Sequence, residues 1–102
     1  MELIQLVLPL FDNTNAKLPK SLFTETLREL TDKCGGATAF TRNPADGFWE
    51  EPGGEVQHDE VIVIEVLADE AEDDWWSAYK QILETRFRQK TILIRAIPCR
   101  RI

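Results

Sequence analysis

His58 is the chain's only histidine, and so the only side chain whose ordinary titration falls near neutrality. That makes it the first candidate for a general base. Such chemistry also needs an oriented partner and a reacting atom within hydrogen-bond reach. The adjacent Asp59 and Glu60 offer a plainer role, an ion-paired surface residue. One histidine beside two acids lacks the spacing of a metal site. Arg42, Trp49 and Arg88 are the residues that would join His58 in a binding site. Two guanidinium forks and an aromatic face suit a small anionic molecule. Asp12, Lys17 and Arg86 fall at the same end of the chain's expected topology. The same bases could instead balance the acidic segment nearby or sit at a helix end for its dipole.

Other reactive side chains have plain alternatives. Cys34 and Cys99 are the only cysteines, 65 residues apart, without the close spacing of a zinc or dithiol motif. Free thiols are the expectation, although the topology puts both at one end, where a disulfide is conceivable. Trp75 and Trp76 are consecutive, about 100° apart on a helix, so one belongs in the core and the other at its rim, where it could anchor an interface. Arg86 falls inside an apolar helical arc, where an unpaired buried charge is costly. A snorkelling side chain or an anion clamp would answer that. Asp12 is the only acid placed to serve a metal-dependent nuclease, and such a site needs paired carboxylates. No cofactor signature is present.

The charge of these 102 residues is unevenly spread. The formal net charge is −6, which opposes binding to phosphate backbones. Residues 43 to 74 hold twelve of the eighteen acids and no Lys or Arg, whereas residues 80 to 102 hold seven bases against one acid, Glu84. The length allows one domain, residues 1 to 102, with one core. The 43% hydrophobic and 29% charged composition is that of a globular protein. No stretch nears the ~20 apolar residues of a membrane span, and Glu2 with an apolar run broken by Gln5 does not read as an export signal. A soluble, cytoplasmic protein with no nucleic-acid or membrane partner is expected.

The elements that must position these residues follow from periodicity. Residues 2 to 10 alternate, with Ile4, Leu6, Leu8 and Leu10 on one face and Leu3, Gln5, Val7 and Pro9 on the other, a strand. After the polar cluster Asp12 to Asn15, Pro19 and Ser21 supply helix-start chemistry. Phe23, Leu27, Leu30 and Cys34 then form one helical stripe, stopped by Gly35-Gly36. A short strand from Ala37 to Arg42 leads into an elaborated hairpin. The next strand, from Glu60 to Leu67, is apolar on both faces, as a central strand is. A second helix, roughly Ala71 to Gln89, sets Trp75, Trp76, Tyr79, Ile82, Leu83 and Phe87 on one broad face, and Thr91 to Ile97 is the last strand. This β-α-β-β-α-β order predicts an α+β, ferredoxin-like sandwich, with an antiparallel sheet of order 4-1-3-2 and both helices on one face.

The other face then lacks a cover. Leu3, Val7, Val61, Val63, Leu67, Leu93 and Ile97 form its candidate apolar surface, too large for a monomer to expose without consequence. Sheet-to-sheet dimerisation or edge pairing into a trimer would bury it, and the opposite charges of the two sheet edges could pair between subunits.

Gly47-Phe48-Trp49, Glu60, Tyr79 and Phe87-Arg88-Gln89 together resemble small bacterial proteins of unknown function. That resemblance implies a ferredoxin-like fold and no mechanism. Gly35-Gly36-Ala37-Thr38 and the long 43 to 57 segment are more weakly similar to nitrogen-regulatory signalling proteins, which form trimers. Their nucleotide-binding loops are basic and glycine-rich, whereas this one is acidic.

The expected function is therefore an oligomeric binding or regulatory module, a homodimer or homotrimer. Its small anionic ligand or other protein partner would meet Arg42, Trp49, His58 and Arg88. The alternative is a small dimeric α/β-barrel-type enzyme, monooxygenase-like or isomerase-like, with His58 as general base in a pocket between helices and sheet.

Overall fold

In the computed structural model, residues 1–42 and 61–102 are described. The elements run β1 (Glu2–Pro9), α1 (Lys20–Cys34), β2 (Thr38–Arg42), β3 (Val61–Ala68), α2 (Asp73–Arg86) and β4 (Leu93–Pro98). The four strands form one antiparallel sheet whose neighbours run β2-β3-β1-β4. Counted from the β4 edge, the same adjacency is 4-1-3-2. No helix among the described residues is long and apolar enough to cross a membrane.

Alternation along the strands divides the sheet into two unlike faces, because successive side chains of a strand point to opposite sides. Ile4, Leu6 and Leu8 of β1 stand opposite Val66, Ile64 and Ile62 of β3. All but Ile62, which packs against it partly buried, enter one buried cluster with Phe23 and Leu30 of α1 and Trp76, Tyr79 and Leu83 of α2. Both helices therefore cover the even-numbered face of β1 and β3. Leu6, Leu8, Leu30, Leu83 and Phe87 have no exposed surface. Each such side chain contributes about 1.5–3 kcal/mol by leaving water.

The helix ends show which local signals acted. Pro19 occupies the N-cap of α1 with no side-chain hydrogen bond. The first turn thus starts on proline's fixed φ, and the expected capping by Ser21 is not used. At the other end Gly35 takes φ 80°, and its N–H donates to the Thr31 carbonyl, 2.8 Å. Only glycine enters that left-handed region without strain. Asp73 and Asp74 open α2 and Arg86 closes it, the arrangement its dipole favours. Lys33 Nζ, 2.8 Å from Glu72 Oε2, links the end of α1 to the start of α2.

One apolar assignment of α2 changes. Ile82 is 51% exposed, whereas Leu83, one residue on, is fully buried. A step of about 100° carries the chain off a face that is narrower than the sequence implied. Trp76 is the core tryptophan and Trp75 the rim one. Trp75 stacks on Tyr79 at 4.8 Å with 20° between the planes, and Lys33 Nζ lies 5.1 Å from a Trp75 ring centroid.

Candidate functional site

The end of the molecule chosen from the sequence does bring two of its segments together. The loop after β1 closes on itself through an isolated pairing of Phe11 with Lys17 and a hydrogen bond from Asp12 N–H to the Ala16 carbonyl, 2.8 Å. The end of α2 docks on it: Gln89 Nε2 donates to the Phe11 carbonyl at 2.8 Å and Asn13 N–H to the Arg88 carbonyl at 3.2 Å. Asp12 organises the loop. Its Oδ1 accepts from Thr14 N–H, the Thr14 hydroxyl and Ala16 N–H, all within 2.9 Å. These donors hold its carboxyl below the usual carboxylate range, the Ala16 N–H foremost and the Arg88 charge last. A carboxylate so committed to its own turn has little left for a metal, which removes the basis for the nuclease reading.

Arg88 sits just past α2 at φ 52°, its side chain 73% exposed and its Nη1 3.7 Å from Asp12 Oδ2. This is a loose surface ion pair, in keeping with charge balancing. Arg42 pairs with Val61 at the end of the β2–β3 ladder. Trp49 and His58 lie outside the described residues, as do Glu60 and the expected hairpin over 43–57.

Arg86 parts from that group. It is neither a snorkelling side chain nor an anion clamp, because it turns inward between the helices with only 15% of its side chain exposed. Nη1 donates to the Thr26 hydroxyl at 2.9 Å, and Nη2 lies 2.6 Å from Glu29 Oε1 and 3.8 Å from Glu25 Oε1. Thr26 is itself fully buried and donates back to the Leu22 carbonyl at 2.8 Å. Beside them burial, with the Glu29 charge second, pushes the Tyr79 hydroxyl up to about 12. A phenol so held stays protonated at neutral pH and does not act as a base.

The most ordered polar arrangement lies elsewhere, on the sheet face away from the helices. Cross-strand partners there make three rungs. The first is Leu67, Leu3 and Ile97; the third is Val63, Val7 and Leu93. Between them runs a polar rung, Glu65 on β3, Gln5 on β1 and Arg95 on β4. Gln5 Nε2 donates to Glu65 Oε2 at 2.7 Å, and Arg95 Nε donates to Gln5 Oε1 at 2.7 Å. The amide's orientation is fixed by its flanks: Arg95 supplies only donors and an ionised Glu65 only acceptors. Among the described residues none of this face belongs to the cluster under the helices, although Val63 is only 7% exposed. Leu67, Leu93 and Ile97 are 45%, 52% and 38% exposed.

Among the described residues open concavities flank the core. A groove of about 300 Å³ runs between α2 and β4, lined by Trp76, Ser77, Lys80, Ile94 and Arg95 among others. The rest of the space between helices and sheet is occupied, among the described residues, by the core side chains already named. At the other end of the fold Cys34 borders a second cleft with Lys33, Glu72 and Arg101. Its thiol is pushed up, chiefly by burial, the reverse of an activated nucleophile. Cys34 and Cys99 are both free thiols. The chain matches no known family model and no curated protein.

Proposed function

We propose that the protein is an oligomeric, non-catalytic binding or regulatory module of ferredoxin-like fold, assembled through the sheet face that its helices leave open. The element order, the neighbour list β2-β3-β1-β4 and the one-sided helices support that fold. One observation carries the assembly: two apolar rungs, with Leu67, Leu93 and Ile97 each more than a third exposed, flank an ordered polar rung on a single face. Contiguous apolar surface of this kind marks an interaction site.

The enzyme reading, with His58 as base, asks for a pocket between helices and sheet. Leu6, Leu8, Leu83 and Phe87, all fully buried, fill most of that space and leave the groove of about 300 Å³ between α2 and β4, a filling that favours binding over catalysis. A small anionic ligand at Arg42, Trp49, His58 and Arg88 is the second reading, favoured by the docking of the α2 end on the 11–17 loop.

The test is the solution mass of wild type beside Val7→Lys. Assembly through this face gives a wild-type mass at least twice 11.7 kDa and a folded, monomeric variant. A wild-type mass unchanged by a lysine in the apolar part of the face would refute the reading.

A further inference from the structure

The face specifies its occupant through the charges on its polar rung. The charged part of the rung runs from Glu65 on β3 to Arg95 on β4, with Gln5 bonded to both; beyond Glu65 the rung continues to Thr38 on β2. The rung is thus negative on one side of β1 and positive on the other. Its flanks are both aliphatic, leucine and isoleucine on one side and valine and leucine on the other, so the apolar rungs alone do not choose an orientation.

Two copies that use the same face must be related by a two-fold axis lying between the sheets. An axis running along the rung would set every side chain opposite its own copy, Glu65 over Glu65 and Arg95 over Arg95, and like charges there oppose association. An axis running along β1 reverses the rung. Glu65 then faces the partner's Arg95, Arg95 faces the partner's Glu65, Gln5 faces its own copy, and the apolar rungs still meet apolar rungs. The roughly 30° angle between packed sheets tilts this arrangement without exchanging the pairs. At strand spacings of about 4.8 Å and rises of about 3.4 Å per residue, two such faces of three strands and three rungs cover roughly 600 Å² in plan. Side-chain corrugation raises that toward the lower limit for a specific interface, about 1,000 Å².

We propose that two copies of this chain pack sheet to sheet about a two-fold axis along β1 at Gln5, each Glu65 meeting the partner's Arg95. The proposal deepens the assembly reading above and rests on it. Edge-paired trimers and contacts with a different protein leave the self-complementary rung unused.

Charge reversal tests the geometry. Glu65→Arg and Arg95→Glu are each expected to weaken self-association on the order of 100-fold, because each turns two attractive contacts into two repulsive ones. Mixed in equal amounts, the two variants restore both pairs and form a heterodimer with a Kd near that of wild type, read by sedimentation equilibrium. The double variant Glu65→Arg/Arg95→Glu dimerises like wild type. Circular dichroism establishes folding, and if a reversal unfolds the chain, Glu65→Gln and Arg95→Gln replace it, each weakening self-association about tenfold. A dimeric wild type whose single variants associate undiminished, or whose mixture stays monomeric, overturns the two-fold while leaving assembly intact. A wild type that is monomeric at every concentration overturns the assembly reading itself.

Discussion

The inward Arg86 permits a prediction in which the two halves of one ion pair are unequal. Arg86 is 15% exposed and Glu29 37%, so the partner left behind differs in how readily water reaches it. Removing Glu29, as Glu29→Met, strands a guanidinium whose other partners are the Thr26 hydroxyl and Glu25, 3.8 Å away and 59% exposed. An uncompensated buried charge costs about 3–5 kcal/mol. The surviving Thr26 bond lowers that, giving about 2–3 kcal/mol. Removing the arginine, as Arg86→Met, keeps the apolar stem, frees Glu29 to turn toward water and leaves Thr26 its bond to Leu22. That loss is about 1 kcal/mol. The double variant Arg86→Met/Glu29→Met strands neither charge and should lose at least 1 kcal/mol less than the sum of the single losses. Urea unfolding followed by circular dichroism reads all three. A step of 1 kcal/mol also moves Tm by roughly 4–8 °C in a domain of this size. The reasoning fails if Arg86→Met is the costlier single change, or if the two effects add.

Three other outcomes follow from particular positions. Leu83→Ala should cost about 3 kcal/mol in urea, and Ile82→Ala under about 0.5 kcal/mol, as their exposures of 0% and 51% dictate; equal losses would contradict the placement of α2. Gly35→Ala should cost about 1 kcal/mol from backbone strain alone, since φ is 80° and a Cβ there would meet nothing within 4 Å. A Tm unchanged within error would refute this. Asp12, lowered in the folded chain from 3.8, adds stability that is fully present above that value and lost as pH falls through the lowered one. The urea midpoint of wild type should therefore drop on acidification below about pH 4 more than that of Asp12→Asn, and parallel curves would refute it.

What the sequence displayed was whatever depends on near neighbours. Alternation over residues 2 to 10 separates the buried Ile4, Leu6 and Leu8 from Leu3, Gln5 and Val7. Pro19 and Gly35 bracket α1 within one residue. The apolar members of the open face, Leu3, Val7, Val61, Val63, Leu67, Leu93 and Ile97, were legible for the same reason. The polar rung through their middle was not, because Gln5 meets Glu65 and Arg95 across 60 and 90 residues, and one step of register would send each side chain to the other face. Arg86 was misread for a related reason: its partners lie on the other helix, Thr26 60 residues away. Of the four residues chosen for a ligand, Arg88 faces Asp12 and Arg42 ends the β2–β3 ladder. That pairing follows from the docking of the α2 end on the 11–17 loop, which no local pattern encodes.

Assembly through the open face is tested most directly by the light-scattering mass of the purified chain, measured over a dilution series at low and high salt. Apolar rungs on both sides of a charged one predict a mass of twice 11.7 kDa that persists in high salt, because screening weakens the ion pairs and leaves the apolar contact. A mass of 11.7 kDa at every concentration and both salts would contradict the account.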